Sequence, residues 1–262
     1  MEPDARTLHN PFTTLNIRLA RHMIESHLLY LYSQPSEFTS WSSSLLFVVL
    51  HAIRKKYALG ENDLRICILD TRRLRDTTIY PATALMKVYD IQNVDKLKFQ
   101  YYSHEYLLHG RLQNTGCYDL ADFDDLEQAG LYQLYPELYH RTKDLIKKVL
   151  AMRELFTERP ITWDQSSIRV TKRLGQCFRA QFELPVALGF VGLRRCMENE
   201  TVILQRHWNI LRDLTLPISY LGAVHQAADA EVDEDDLPEV TRLCLFLRAF
   251  TDLSFPNGLW CD

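Results

Sequence analysis

The chain has 262 residues, 47% of them apolar and 24% charged, with 30 Lys and Arg against 34 Asp and Glu for a formal net charge of −4. This composition excludes a disordered, collagen-like or disulfide-scaffold protein, and it leaves a nucleic-acid partner a local basic surface and no global field. No apolar run approaches the roughly 18 residues of a membrane span, and MEPDARTLHN lacks the basic-then-apolar layout of a secretion signal, so a cytoplasmic protein is expected.

Residues 13–33 put Leu15, Leu19, Met23, Leu28 and Leu31 near one face of a first helix, which Gln34-Pro35 closes. After Phe38-Thr39-Ser40-Trp41, the hydroxyls of Ser42 to Ser44 can cap a second helix, apolar nearly all round and ending in Lys55, Lys56 and Gly60. Leu64 to Leu69 reads as an interior strand that ends in Asp70 and Thr71, and Glu105 to Leu112 reads as another. Residues 122–130 suit a short helix begun by Asp122 and closed by Gly130. Beyond Tyr139 the periodicity is helical over 139–156, 165–197, 201–214, 217–230 and 237–253, and the acidic stretch 229–236 reads as a solvated connection. The expected fold is α/β in a single domain, residues 1–262. A Rossmann-like, sheet-containing half (1–135) shares one core with a helical half (136–262).

Cys67, Cys117, Cys177, Cys196, Cys244 and Cys261 show no Cys-x-x-Cys pair and no short spacing to histidine, so reduced, mostly buried thiols are expected and structural zinc is not. With nine glycines and no Gly-rich phosphate loop, Gly-x-Ser-x-Gly or His-Glu-x-x-His motif, neither a metal nor a cofactor is expected. The chemistry-bearing candidates are five polar residues at four places in the chain. Ser43 and Ser44 stand at a helix mouth, where the positive end of the dipole favours an alkoxide, although capping explains them equally. Asp70 ends a strand, where it can orient an amine or cap a turn. Glu105 starts a strand. Glu183 lies beside Pro185 in an apolar helix, where a lone charge must reach solvent or a cation such as Arg179. Arg54, Lys55 and Lys56, Arg72, Arg73 and Arg75, and Lys172 with Arg173 can form a phosphate-tracking surface or plain solvated helix faces.

The runs FTSWSSSLLFVVLHAIRKKY, ICILDT, YYSHEYLLHGRL, GCYDL, GLYQLYPEL and FELPVALGFVGLRR, spanning roughly residues 38–195, resemble a widespread fungal family of unknown function. We take that family to include the arginine-containing cyclodipeptide synthases. A further likeness is to the bacterial cyclodipeptide synthases, which carry an early nucleophilic serine and a later Glu-x-Pro, here Glu183-Leu184-Pro185. Phe178 stands near the place of their motif tyrosine, and no Gly-x-Ser precedes the helix. The resemblance implies a synthase that joins arginine from arginyl-tRNA to a second aminoacyl group. Ser43 or Ser44 would be acylated, Glu183 would handle the amine proton, and Asp70 or Glu105 would stand in reserve. The chain also resembles the ADP-ribosyltransferases, in which a Ser-Thr-Ser segment and a late strand with a catalytic Glu follow a first-strand Arg. Thr39-Ser40 and Glu105 match the second and third parts, while Arg6 and Arg18 do not supply the first. A non-catalytic interaction module is the third reading.

Overall fold

The computed structural model of the protein describes residues 15–29, 37–74, 78–91, 102–110, 112, 116–139, 144–214 and 237–254. In chain order the elements are α1 (Ile17–Leu28), β1 (Phe38–Ser42), α2 (Leu45–Leu59), β2 (Arg65–Leu69), β3 (Ile79–Pro81), α3 (Ala82–Val88), β4 (Glu105–His109) and β5 (Tyr118–Asp122). They continue with α4 (Phe123–Ala129), α5 (Leu131–Leu134), α6 (Leu145–Glu158), α7 (Gln165–Gln176), α8 (Ala180–Gly192), α9 (Glu200–Leu211) and α10 (Pro238–Ser254). The chain divides into two compact units, one from Met1–Ser43 with Asp70–Cys117 and one from Ser44–Leu69 with Tyr118–Asp262.

In the first unit, the side chain of Asn16 caps α1 by accepting from the Arg18 N–H at 2.9 Å. The helix buries Ala20, Ile24, Ser26 and Leu28, whereas Leu19 is 49% exposed, so the inward face is offset from the leucine stripe read in the sequence. Residues 38–41, read as an approach to a helix, are strand. β1 pairs antiparallel with β4, which pairs antiparallel with β3. The register sets Phe38 opposite His109, Ser40 opposite Leu107 and Ser42 opposite Glu105. The two-residue period of a strand therefore puts Phe38, Ser40, Ser42, Glu105, Leu107 and His109 on one face. Ala20, Ile24 and Leu28 of α1 join Phe38, Leu85, Met86 and Leu107 in this unit's hydrophobic cluster.

In the second unit, α2 starts at the Ser44 cap and stops at Gly60, whose φ of 71° is the left-handed conformation that a side chain would strain. β2 and β5 form a two-stranded antiparallel sheet. α8 is the central helix: from Phe182 to Gly192 it buries nearly every side chain, with Pro185 in its interior. α7 crosses it closely, since a Cβ on Gly175 would collide with the Glu183 carbonyl. The core joins Leu46, Val49, Leu50 and Ile53 of α2 to Val149, Met152 and Phe156 of α6, with α8 and Phe246 and Phe250 of α10.

Several expectations are corrected. The fold is mixed α/β, but the described sheets are small and antiparallel and do not form the parallel sheet of a Rossmann-like half. The apolar run at 64–69 buries Ile66 alone, so it is not an interior strand. The described residues form two hydrophobic clusters, and the larger joins residues from both sides of position 135. The helical stretch at 165–197 is two helices, α7 and α8, broken at Cys177–Arg179. The segments 217–230 and 229–236, together with Arg6, Arg75 and Cys261, lie outside the described residues. The described cysteines are free thiols, and of these Cys117 is buried. Among the described residues no helix is long and apolar enough to cross a membrane.

Candidate functional site

In the first unit the face shared by β1 and β4 carries a directed chain of hydrogen bonds. Ser40 Oγ donates to Glu105 Oε1 at 2.6 Å, and His27 Nε2, from α1, lies 2.9 Å from the same Ser40 oxygen. A hydroxyl has one proton to give, and Ser40 gives it to the carboxylate, so toward His27 it can only accept. With Glu105 ionised, the imidazole donates from Nε2–H and the chain runs from His27 through Ser40 to Glu105. Burial pushes the Glu105 carboxyl above the ordinary glutamate range, and the Ser40 bond offsets part of that rise. Burial pulls His27 down, which keeps its ring neutral near pH 7. Phe38 packs edge-on against His27 at 5.8 Å and against His109 at 5.4 Å between ring centroids. Among the described residues no cation pairs with Glu105. Its charge is half-buried and uncompensated, on strands whose register fixes its position.

The other predicted positions serve different ends. Ser43 is exposed, and its backbone N–H donates to the His104 carbonyl at 3.0 Å. Ser44 is fully buried: it accepts from the Phe47 N–H as the α2 cap, donates to Glu239 Oε1 at 2.6 Å and accepts from Arg153 Nη2 at 3.1 Å. Arg153 also donates to Glu239 Oε1 from Nε at 3.0 Å, closing a serine–carboxylate–guanidinium knot between α2, α6 and α10. Asp70 caps the 3-10 turn Thr71–Arg73 and holds Arg72 from both oxygens, at 2.8 and 3.2 Å, with Arg73 at 3.4 Å.

Glu183 is half-buried in the first turn of α8. Its proposed partner, Arg179, is instead committed to Asp119 of β5, which accepts from the Arg179 backbone N–H at 2.5 Å and from Nε at 2.7 Å. Burial alone would raise the Asp119 carboxyl, but these Arg179 contacts hold it below the ordinary range. Sequence reasoning missed Asp119, Glu239 and His27. The basic residues likewise have internal partners. Lys55 meets Glu61, Lys56 meets Asp124 and Glu127, Lys172 meets Asp213, and Arg173 donates to the Ala129 carbonyl. Arg72 and Arg73 belong to the first unit, and Arg54, Lys55, Lys56, Lys172 and Arg173 to the second.

Residues 4–126 match a family described as a domain of unknown function, DUF7587. The matched segment includes Ser40 and Glu105 and stops well short of Glu183-Leu184-Pro185; it brings with it no link to cyclodipeptide synthases or to fungi. No curated protein and no solved structure matches the chain.

Proposed function

We propose that the chain is an ADP-ribosyltransferase-like enzyme that cleaves NAD. The observation that carries this reading is the Ser40-to-Glu105 hydrogen bond on two paired strands, with the carboxylate left uncompensated by any cation among the described residues. The bond between the ribose C1′ and the nicotinamide nitrogen breaks with both electrons going to the nitrogen, so nicotinamide leaves neutral and C1′ becomes an oxocarbenium ion. A fixed, poorly solvated negative charge is worth most where positive charge develops in the transition state. Glu105 supplies that charge and can accept a hydrogen bond from a ribose hydroxyl. An acceptor nucleophile then adds to C1′ and gives up its proton to the carboxylate or to solvent. Ser40 keeps the carboxylate in one rotamer, which limits the reorganisation needed at the moment of reaction.

The arrangement is unlike a hydrolase triad, in which the acid contacts the imidazole and the imidazole takes the serine proton. Here the serine hydroxyl donates to the carboxylate. The cyclodipeptide-synthase reading has less local support, because the Ser44 hydroxyl is spent on a cap and a buried knot.

The test is incubation of the purified chain with NAD, with nicotinamide release followed by chromatography, in parallel with charged tRNAs and mass spectrometry of small products. Nicotinamide release that Glu105→Gln abolishes is the expected result. Diketopiperazine formation without NAD cleavage would overturn the proposal in favour of the synthase.

A further inference from the structure

We infer that His27 is a positioning residue, which fixes the direction of the hydrogen-bond chain and holds Glu105 as the ionised acceptor. The inference deepens the NAD-cleaving reading and rests on it for its catalytic meaning, but the chemistry it asserts can be read without any substrate.

Three observations carry it. The imidazole Nε2 stands 2.9 Å from Ser40 Oγ, and Ser40 Oγ stands 2.6 Å from Glu105 Oε1, so the three groups form one continuous path. His27 is set by more than that contact: it lies in the last turn of α1 beside buried Leu28 and Ser26, and its ring edge is fixed by Phe38 of β1. Ser40 itself is exposed, so without the imidazole water can compete for its lone pairs and the hydroxyl can turn. A donor on one side of a hydroxyl strengthens the bond that the hydroxyl donates on the other. His27 therefore favours the charged form of Glu105 against its burial.

The neighbouring charged groups do not supply this effect. On α1, Arg21 is paired with Glu25 at 2.8 Å. Just before β1, Glu37 lies 3.0 Å from His109, across Phe38 from His27. The influences on Glu105 are its burial and Ser40.

The experiment has a wild-type arm and two variants. Nitrogen NMR of the wild-type imidazole reads the tautomer directly, and a proton on Nε2 of His27 at neutral pH is expected. Carbon NMR of the Glu105 carboxyl reads its titration. In His27→Phe, which keeps a ring but has no donor, the Glu105 midpoint should move up by roughly 0.3 to 1 unit. In His27→Gln, whose amide can donate from about the same place, it should stay near the wild-type value. In NAD cleavage, His27→Phe should lower kcat about tenfold with KM little changed and shift the acid limb of the pH profile upward, with His27→Gln restoring most of the rate. A proton on Nδ1, or a Glu105 midpoint indifferent to His27→Phe, would overturn the inference. If His27→Phe does not fold, the tautomer in the wild type decides alone. If the NMR results hold and no NAD is cleaved, the proposed reaction falls and the polarity of the chain stands.

Discussion

Two serine–glutamate pairs, both with a 2.6 Å hydrogen bond, take their serines from one five-residue stretch. Ser40 reaches Glu105 across two paired strands, and Ser44 reaches Glu239 inside a helical core. The donor chemistry is the same, and the surroundings divide the roles. The inner pair is 3% exposed at Glu239 and is completed by Arg153, so its charge is neutralised and its hydroxyl also caps a helix. The outer pair has an imidazole in place of a guanidinium, and among the described residues no cation compensates its carboxylate. A buried charge with a cation holds structure together, whereas a half-buried charge without one remains available to a cationic partner.

The comparison can be broken from either side. Glu105→Gln keeps the size of the outer carboxyl and removes its charge, so NAD cleavage should fall roughly 10²- to 10⁴-fold while the melting temperature does not drop. Equal activity would remove the distinction. Arg153→Ala strands Glu239 in the core and should cost roughly 3–5 kcal/mol of stability in denaturant unfolding, with the Glu105 titration unchanged. A stability within experimental error of wild type would mean that the inner pair is not structural.

The serines sharpen the contrast at smaller scale. Ser44→Ala removes a cap and a buried donor and should destabilise by about 1–2 kcal/mol. Ser40→Ala, at an exposed strand position, should shift stability by less than about 0.5 kcal/mol yet slow NAD cleavage about tenfold. The smallest effect concerns pH. Burial raises the folded-state pKa of Glu105, so the folded protein holds its proton more tightly than the unfolded chain does. The stability from the protonated form is fully present below the ordinary glutamate value and is lost as pH rises through the raised one. Activity should climb over that same window as the carboxylate forms. Relative to Glu105→Gln, wild type should therefore lose stability while it gains rate. A fall in stability on acidification through this window would contradict the assignment.

What the sequence disclosed followed the range of the forces involved. The Ser44 cap, the Gly60 stop, the strand at Glu105 and the short helix closed by Gly130 are set by neighbouring residues, and each was readable in the sequence. β1 was not, because Phe38 to Ser42 looks like a loop until β4 supplies its hydrogen bonds from 105–109. Thr39-Ser40 and Glu105 were singled out together through a family likeness, and no local pattern joins residues 65 positions apart. His27 gave no signal beyond being a histidine in a helix. Arg179 pairs not with Glu183, one turn away, but with Asp119, 60 positions away, because β5 begins beside the start of α8. The inner knot spans 195 positions and had no local signature.

The chain leaves the first unit after Ser43, returns at Asp70 and leaves again after Cys117, so neither unit is one continuous stretch of polypeptide. The block of sequence that matches a family, 4–126, therefore coincides with neither unit. It contains the whole described first unit but also α2, β2 and β5, and Leu46, Val49, Leu50 and Ile53 of α2 share one hydrophobic cluster with residues of α6, α8 and α10. Expressed alone, such a fragment would display those side chains to solvent and associate through them.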